Sequence, residues 1–509
     1  MKNKPSECWK AYLVYTATTQ ETLSLEADIS ASIIIINIVI RVAEMERYKG
    51  IRDQQSHPGY KFTVCRSQPP NKQKFNLGLS QLVMIALGGL IGAGIFVASG
   101  TPILLAGPAV FFSYLIGGFA VGLVMLILAE ISSAEPSAGS FSQHANKYLG
   151  PAMGFVTGWM YWSAGIFGMA TEITAAAMLS QWWFPHVPLW VFSLFFAVLV
   201  TMINFLDLKG FSKAETWLSS VKVFALAAFI LLGAYFLSSH YPGSVNKSVL
   251  TGLLWTSLLP NGWFGVYSSM LLVIFAYAGM QNMIIAATNA CNPSIIPKAV
   301  FISIILVTIL YTGSIAIILN VVPWQSVDPS SSSFVVAFEK MGIPFAGSIL
   351  NLIVLSAVLS SMNIIMFGTT RMLQSLSERK EAPSIFKKSN KAGVPVNALL
   401  ASSAFLSLAV LFAYVLPQRI FIYVSSSSVF ISLFNWIIII LTYISFKSIS
   451  NKKKPGEASK RYLFKPVLAM LLVLTVISSV PFVPQEFPGM VAGLAMLFVF
   501  LAAYFAYYR

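Results

Sequence analysis

The sequence predicts an all-α polytopic membrane protein with twelve transmembrane helices. Three observations support this fold class: an apolar composition, repeated apolar runs, and basic residues concentrated in alternate loops. The 509-residue chain is 57% hydrophobic and 10% charged, with a mean hydropathy of +0.76. Soluble domains usually carry about 25% charged residues. A transmembrane β-barrel is not expected, because its strands would be alternating runs of about ten residues rather than continuous apolar stretches.

Twelve apolar runs approach the roughly 20 residues that a helix needs to cross a bilayer. Their approximate limits are 80–104, 109–130, 153–180, 188–206, 216–238, 266–290, 299–322, 347–370, 396–416, 420–446, 464–482 and 487–508. Residues 1–78 are mixed and polar, with one short apolar run at 29–40. We interpret them as a cytoplasmic N-terminal extension, either an amphipathic or disordered tail or an over-long start to the coding frame. A thirteenth span is the alternative.

Lysine and arginine residues gather in alternate loops. With the N-terminus inside, the inner loops hold seventeen of them and the outer loops hold three, Lys247, Lys340 and Arg419. Because cytoplasmic loops are enriched in these residues, the split places both termini in the cytoplasm of a multi-pass cell-membrane protein. The net charge of +15 is then a topology signal, and no nucleic-acid partner is expected.

Four glycines fall within the first span, in the stretch GGLIGAGIF at 88–96. Glycine weakens a helix, and unwound backbone inside a membrane is tolerated only where it is buried in protein or lines a cavity. Transporters use such broken helices to bind the charged groups of a substrate through exposed amides and carbonyls. Glycines also let a carboxylate approach, because no Cβ stands in the way. The alternative is a helix-packing face, since Gly88 and Gly92 form a GxxxG pair.

A second interruption is expected in the sixth span, at Gly279 within IFAYAGMQNMIIAATNACNPSIIPKAV (274–300). This span lies five spans after the first and therefore crosses the membrane in the opposite direction. Inverted repeats of transporters have this arrangement, with the substrate site at the repeat interface. The sequence thus predicts a five-plus-five inverted repeat whose broken helices 1 and 6 meet near the bilayer centre.

Charged and polar residues inside the predicted spans are candidate functional groups, because a central charge costs about 2.5–3.5 kcal/mol. Lys222, midway along the fifth span, is a candidate for proton coupling, and the alternative is a lysine that extends to the cytoplasmic edge. Glu172 in the third span is a candidate for proton relay or for biasing substrate charge, and the alternative is an acid that hydrogen-bonds neighbouring helices together. Ser360, Ser361 and Asn363 are candidates to line a cavity, although interhelical hydrogen bonds would also explain them.

The sequence contains no P-loop and no HExxH motif, so we expect neither an ATP-driven pump nor an enzyme of that zinc class. Its three cysteines, Cys8, Cys65 and Cys291, have no metal-like spacing. We therefore predict no catalytic residue, no metal site and no cofactor.

Four segments, in order, carry a family resemblance. They are ALGGLIGAGIFVASG in the first span, LAEISSAEPSAGSFSQHANKYLGPAMGFVTGWMYW at 128–162, FAYAGMQ…NPSIIPKAV around the sixth span, and LSAVLSSMNIIMFGTTRMLQSLSERKEAPSIFKK at 355–388. From about residue 76 onward, the chain resembles amino-acid permeases of the APC superfamily, nearest the bacterial amino acid transporter branch. The resemblance implies a ten-helix transport core (79–446), followed by a cytoplasmic loop and two peripheral helices (447–509).

The same resemblance implies secondary active import of an amino acid by proton symport with alternating access. Lys222 resembles the helix-five lysine of proton-coupled members, which takes the place of a sodium ion, and Glu172 matches an acidic position of this branch. Tyr277 or Phe275 is expected to act as an aromatic lid over the substrate. The substrate's carboxylate is expected to bind the unwound backbone at Ile91, Gly92, Ala93 and Gly94. Its ammonium group is expected to bind the backbone carbonyls near Phe275, Ala276 and Ala278.

The chain departs from the family pattern at three places. Gln281 and Asn289 stand where many relatives carry glutamates, and the run SSSS at 425–428 stands where relatives often have a glycine. These differences leave two alternatives open, an amino-acid exchanger and a binding-only amino-acid sensor that has lost turnover. The mostly neutral and aromatic cavity that the sequence predicts favours a neutral amino acid as the substrate.

Overall fold

The computed structural model describes residues 78–135, 140–205, 208–240, 258–287, 292–329, 331–342, 346–391, 393–415, 420–452 and 463–507. All of these residues fall in one structural unit, Cys65–Arg509. Residues 1–77, which make up nearly all of the predicted N-terminal extension, lie outside the described residues, as does Asn289.

The described part of the chain is helical, with no β-strands. Numbered in chain order, its α-helices are α1 (Leu79–Leu90), α2 (Ala93–Phe96), α3 (Gly100–Ala106), α4 (Val110–Ala134), α5 (Ser140–Leu149), α6 (Pro151–Gln181), α7 (Leu189–Ile203), α8 (Leu208–His240), α9 (Gly262–Ala276), α10 (Met280–Ala286), α11 (Ile296–Val321), α12 (Ser333–Lys340), α13 (Ala346–Glu378), α14 (Val396–Val415), α15 (Ile420–Lys452), α16 (Phe464–Ser479) and α17 (Phe487–Tyr507).

Each of the twelve predicted apolar runs coincides with one or more of these helices. Within the described residues, eight helical segments are long and apolar enough to cross a membrane. Shorter apolar helices accompany them, namely α1, α7 and most of α14. The helices α8 and α13 have 33 residues each, so at about 1.5 Å per residue they are longer than a hydrocarbon core of about 30 Å. The chain is therefore a multi-pass membrane protein.

The first predicted interruption lies between α1 and α2. The N–H of Ile91 closes the last turn of α1 by donating to the carbonyl of Leu87 at 2.9 Å. Ile91 then turns to an extended conformation (φ −83°, ψ 94°), and Gly92 is also non-helical (φ −148°, ψ −148°). The chain becomes helical again at Ala93. The glycine-rich segment is thus unwound at two residues, as the sequence predicts.

The second interruption separates α9 from α10 at residues 277–279. Here the N–H of Tyr277 donates to the carbonyl of Ile274 at 3.0 Å, and the N–H of Ala278 donates to that of Phe275 at 3.1 Å. These bonds span three residues instead of the four of an α-helix, so the helix tightens into a turn. The sixth predicted span is interrupted next to its glycine, as expected.

The two interrupted segments contact each other through backbone atoms. A Cβ on Gly279 would overlap the carbonyl group of Gly89. A Cβ on Gly94 would lie 2.5 Å from the Cα of Ala276. Because these neighbours are backbone atoms, they cannot move aside as a flexible side chain would. Glycine is therefore required at both positions for the two segments to meet.

The other helices surround this crossing. Helix α1 contacts α8, α10, α11 and α13, while α6 packs against α13 and α15. The predicted peripheral helices α16 and α17 both pack against α15. Only 28% of the apolar stretch of α17 is buried inside the protein, compared with 89% of the apolar stretch formed by α9 and α10. The interrupted helix is thus enclosed by protein, whereas α17 leaves an apolar surface for lipid.

We predict that Gly279→Ala destabilises the folded protein. The added methyl group would push α9–α10 away from α1, and over-packing of this kind costs about 1–3 kcal/mol. The measurement is the melting temperature of the purified protein in detergent. Gly78→Ala is the matched control, because nothing lies within 4 Å of a Cβ at that position. Equal melting temperatures for the two variants would contradict the predicted backbone contact.

Candidate functional site

A cavity lies where the two interruptions meet α6, α13 and α15. Five of the predicted site residues line it: Gly94, Glu172, Phe275, Ala278 and Gly279. The remaining predicted backbone positions are not among the lining residues, and they are buried behind this surface: Ile91, Gly92, Ala93, Ala276 and Tyr277. The structure thus brings both predicted halves of the substrate site to one cavity.

The far wall of the cavity comes mainly from α6 and α15, and most of it was not predicted. The hydroxyl of Tyr161 donates a hydrogen bond to Oδ1 of Asn282, and Oγ of Ser428 donates to the carbonyl of Ala164 at 2.9 Å. Glu172 is the one carboxylate among the described lining residues. Gly89 and Leu90 lie within the predicted glycine-rich stretch, whereas sequence reasoning did not identify the lining residues Tyr161, Ala164, Gly165, Gly168, Asn282, Ile365 and Ser432. A polar residue inside an apolar span, as at Asn282, was the available signal.

The two aromatic residues beside the second interruption face different surroundings. Phe275 lines the cavity. Tyr277 is fully buried, and its hydroxyl donates to the carbonyl of Tyr114 at 2.9 Å. Its ring centroid lies 5.2 Å from that of Tyr311. Of the two candidates for an aromatic lid, only Phe275 borders the cavity.

Tyr311 of α11 connects the two interruptions. Its hydroxyl lies 2.8 Å from the carbonyl oxygen of Leu90, the last residue of α1. The same hydroxyl lies 3.1 Å from the carbonyl oxygen of Ala276, the last residue of α9. A hydroxyl has one hydrogen, so the two carbonyls share a single donor. Tyr311 thereby bridges the C-terminal ends of α1 and α9 through its hydroxyl group. Nothing in its local sequence indicates this role.

Lys222 of α8 lies beside the first interruption. Its side chain is buried, and Nζ donates to the carbonyl of Gly88 at 2.6 Å. The alternative in which this lysine extends to the cytoplasmic edge therefore does not hold. The acidic groups that act on it electrostatically are Glu215 and Glu172. A buried lysine thus lies next to the unwound backbone, with two glutamates near enough to act on it through their charge.

Glu172 of α6 binds the other side of the same interruption. The N–H of Ala93 donates to Oε2 of Glu172 at 3.1 Å, and Oγ of Ser361 donates to Oε1 at 3.2 Å. A Cβ on Gly92 would lie 2.6 Å from Oε1, so glycine there makes room for the carboxylate. Glu172 therefore links α6 to α2 and α13 and also borders the cavity. The two interpretations of this residue, structural and functional, do not exclude each other.

Glu215 is a buried carboxylate that sequence reasoning missed. Its side chain is fully buried, and Oγ of Ser360 donates to Oε1. Oε2 has no hydrogen-bond partner within the described chain. A Cβ on Gly88 would lie 2.8 Å from Oε1, so this glycine serves close packing as well. Glu215 precedes Lys222 by seven residues, so both lie on one face of α8. This spacing is the feature of the sequence that could have identified Glu215.

The three residues of α13 that were predicted to line a cavity contact different neighbours. Ser361 contacts Glu172, and its Oγ also lies 3.2 Å from the carbonyl oxygen of Gly89. Ser360 contacts Glu215, as described above. Asn363 accepts a hydrogen bond from Nδ2 of Asn204 at 2.6 Å, which joins α13 to the end of α7. None of the three is among the lining residues of the cavity. Among the described residues, no group of three or more His, Cys, Asp or Glu is arranged to hold a metal ion.

A cavity between two interrupted helices, with a lysine and a glutamate hydrogen-bonded to the backbone of the first, is the arrangement found in membrane carriers. Residues 81–508 match the family model described as amino acid permease, and the chain belongs to this family. Its members are transporters, not enzymes.

Curated relatives agree with this assignment. The chain is 34% identical over 444 residues to the uncharacterized amino acid permease YtnA of Bacillus subtilis (strain 168), covering 85% of this chain and 95% of the relative. It is 36% identical over 413 residues to the gamma-aminobutyric acid permease of the same organism, covering 81% and 88%. It is 34% identical over 421 residues to the aromatic amino acid transport protein AroP of Escherichia coli (strain K12), covering 82% and 91%. The chain is thus similar to permeases for different amino acids.

We predict that Tyr311→Phe weakens the junction of the two interruptions. The two carbonyls lose their shared donor, and the loss of a hydrogen bond that leaves buried acceptors unpaired costs about 1–3 kcal/mol. A lower melting temperature in detergent is the expected result.

Tyr114→Phe is the matched control for this prediction. Tyr114 packs in the same aromatic cluster, with its ring centroid 6.1 Å from that of Tyr311, and its hydroxyl has no hydrogen-bond partner among the described residues. The control should melt at or above the temperature of the wild type. Equal destabilisation by both variants would argue against a bridging role for Tyr311.

Proposed function

We propose that this protein imports an amino acid across the cell membrane by proton symport, with alternating access. Twelve spans and two cytoplasmic termini are part of the proposal, as is an inverted repeat within the core 79–446. The supporting observation is the meeting of two interrupted helices beside a cavity, where Lys222 and Glu172 hydrogen-bond to the first interruption. Rocking of one helix bundle against the other would expose this site to each side in turn.

The substrate is held by backbone groups at both interruptions. Its carboxylate binds amides of the 91–94 segment, where Gly92 and Gly94 leave space beside the backbone. In this described segment, only the N–H of Ile91 is already bonded, to the carbonyl of Leu87, besides the contact of Ala93 with Glu172. The substrate's ammonium binds carbonyls of residues 275–278. A carbonyl oxygen has two lone pairs, so the oxygens of Phe275 and Ala276 retain an acceptor site besides the hydrogen bonds they already receive. Phe275 covers the bound substrate, and Gly279 keeps the second interruption against the first.

Proton coupling is assigned to Lys222 and Glu172. Both side chains are buried inside the protein and hydrogen-bond to the backbone at the same interruption. A change of protonation at either residue therefore changes a hydrogen bond of the segment that binds substrate. Coupling between proton and substrate requires a shared element of this kind.

The substrate class is inferred to be a neutral amino acid. The lining combines small residues, amide and hydroxyl groups and one carboxylate that is already hydrogen-bonded. The relatives are named for γ-aminobutyric acid and for aromatic amino acids. γ-Aminobutyric acid and the aromatic amino acids are zwitterions with one positive and one negative charge, so they carry no net charge. A lining with few charged side chains suits such substrates.

The test is uptake by full-length protein reconstituted in liposomes. A panel of the twenty amino acids and γ-aminobutyrate, radiolabelled, is offered with and without an inward proton gradient. We expect the proton gradient to drive the accumulation of one or more compounds of the panel against their own concentration gradients. Counterflow without response to pH would identify an exchanger, and binding without uptake would identify a sensor. Gln281 lies in the cavity lining, and these alternatives rest on it because the family resemblance implies a glutamate at this position in many members.

We predict that Lys222→Ala retains binding of the panel substrate but loses its accumulation driven by the proton gradient. Removal of the ammonium leaves the carbonyl of Gly88 without its donor and removes the positive charge that acts on Glu215 and Glu172. The control is Lys340→Ala, which removes an exposed lysine and should accumulate substrate like the wild type. Unchanged gradient-driven accumulation in Lys222→Ala would remove this residue from the mechanism.

A further inference from the structure

We propose that Glu172 is an internal substitute for the substrate's carboxylate, which occupies the amide of Ala93 until the substrate displaces it. The inference rests on the proposed function, because it concerns the same site. It adds a competition between a side chain of the protein and the substrate, and it gives a physical reason for coupling.

The first argument is the position of the carboxylate. Oε2 of Glu172 accepts the N–H of Ala93 at 3.1 Å, inside the segment proposed to bind the substrate's carboxylate. Glu172 also lines the cavity, so a ligand in the cavity can reach it. A carboxylate of the protein thus occupies a place proposed for a carboxylate of the substrate.

The second argument is that the site fits this side chain closely. A Cβ on Gly92 would lie 2.6 Å from Oε1 of Glu172 and 2.7 Å from Oγ of Ser361. Ser361 in turn donates to Oε1 at 3.2 Å. The carboxylate therefore has one hydrogen bond from the interruption and one from α13. The single hydrogen of Ser361 is shared with the carbonyl of Gly89, which also lies 3.2 Å from its Oγ, but this hydroxyl stays beside Oε1 when Glu172 releases Ala93.

The third argument is that two carboxylates cannot use the amide together. A backbone N–H has one hydrogen, and two carboxylates side by side in a low dielectric repel strongly. The substrate must therefore displace Glu172 from Ala93, or Glu172 must be neutralised. Protonation neutralises Glu172, and a neutral carboxylic acid is a weaker hydrogen-bond acceptor than a carboxylate. Proton uptake and substrate binding then favour each other, and this linkage is reciprocal.

Charged and titratable groups on the surrounding helices face this carboxylate. Lys222 of α8 acts on Glu172 electrostatically, and Tyr311 of α11 is close enough to be affected by it. Glu215 acts on Lys222 from the same helix. Among these groups, Lys222 is the one whose positive charge acts on Glu172.

The experiment measures binding of the radiolabelled panel of amino acids and γ-aminobutyrate to the full-length protein in nanodiscs. Wild type, Glu172→Gln and Glu215→Gln are compared at about pH 8 and about pH 5.5, because a protonation linked to substrate binding makes the affinity depend on pH. Glu215→Gln is the matched control, because it removes a buried carboxylate near Lys222 that does not contact Ala93. The wild type should bind its substrate more tightly at the lower pH.

At the higher pH, Glu172→Gln should bind the same substrate about tenfold more tightly than the wild type, because a neutral amide oxygen competes less well than a carboxylate for the N–H. Its affinity should also lose most of its dependence on pH. Glu215→Gln should show no such gain and should keep the pH dependence. The methyl ester of the substrate, which has no anionic carboxylate, should bind the wild type without the gain at low pH.

Equal or weaker binding by Glu172→Gln, with the pH dependence intact, would overturn the inference while leaving the proposed function in place. An equal gain in Glu215→Gln would also overturn it, since the effect would then be one of general charge. If no panel member binds the wild type, the proposed function fails and the inference fails with it. Glu172→Asp is the second variant in case the glutamine variant does not fold. Its shorter side chain retains the charge but falls short of Ala93, and it should also bind more tightly than the wild type at the higher pH.

Discussion

The contact between two interrupted helices at glycine determines the rest of this structure. Gly279 packs directly against the carbonyl of Gly89, and Gly94 against the Cα of Ala276. A side chain at either glycine would separate the helices. Because the segments meet backbone to backbone, the amides and carbonyls that lack helical partners are close together inside protein, one of the two environments in which a membrane helix can remain unwound. The cavity lies at this meeting point.

The charged groups of the membrane interior follow from the same constraint. A buried charge needs a partner, and the first interruption supplies a carbonyl to Lys222 and an N–H to Glu172. Tyr311 stabilises the carbonyl ends of both interruptions from a third helix. The unwound backbone is therefore satisfied by side chains of α6, α8 and α11. Any ligand that binds the backbone must compete with these side chains or act together with them.

Much of the fold could be predicted because it depends on local properties of the sequence. Apolar runs and glycine clusters act within a few turns of helix, so the helix positions and both interruptions followed from them. Contacts between distant segments could not be predicted in the same way. Tyr311 lies 221 residues from Leu90, and Glu215 lies 145 residues from Ser360. The rotation of each helix was also undetermined, so the direction of Tyr277 and the contact of Asn363 with Asn204 emerged only from the structure.

The most direct test is a cryo-electron microscopy structure of the protein in nanodiscs with a bound amino acid from the panel. The account predicts unwound backbone at residues 91–92, with the ligand's carboxylate within hydrogen-bond distance of the N–H of Ala93 and its ammonium near the carbonyls of residues 275–278. A continuous helix through residues 88–96, or ligand density away from both interruptions, would contradict it.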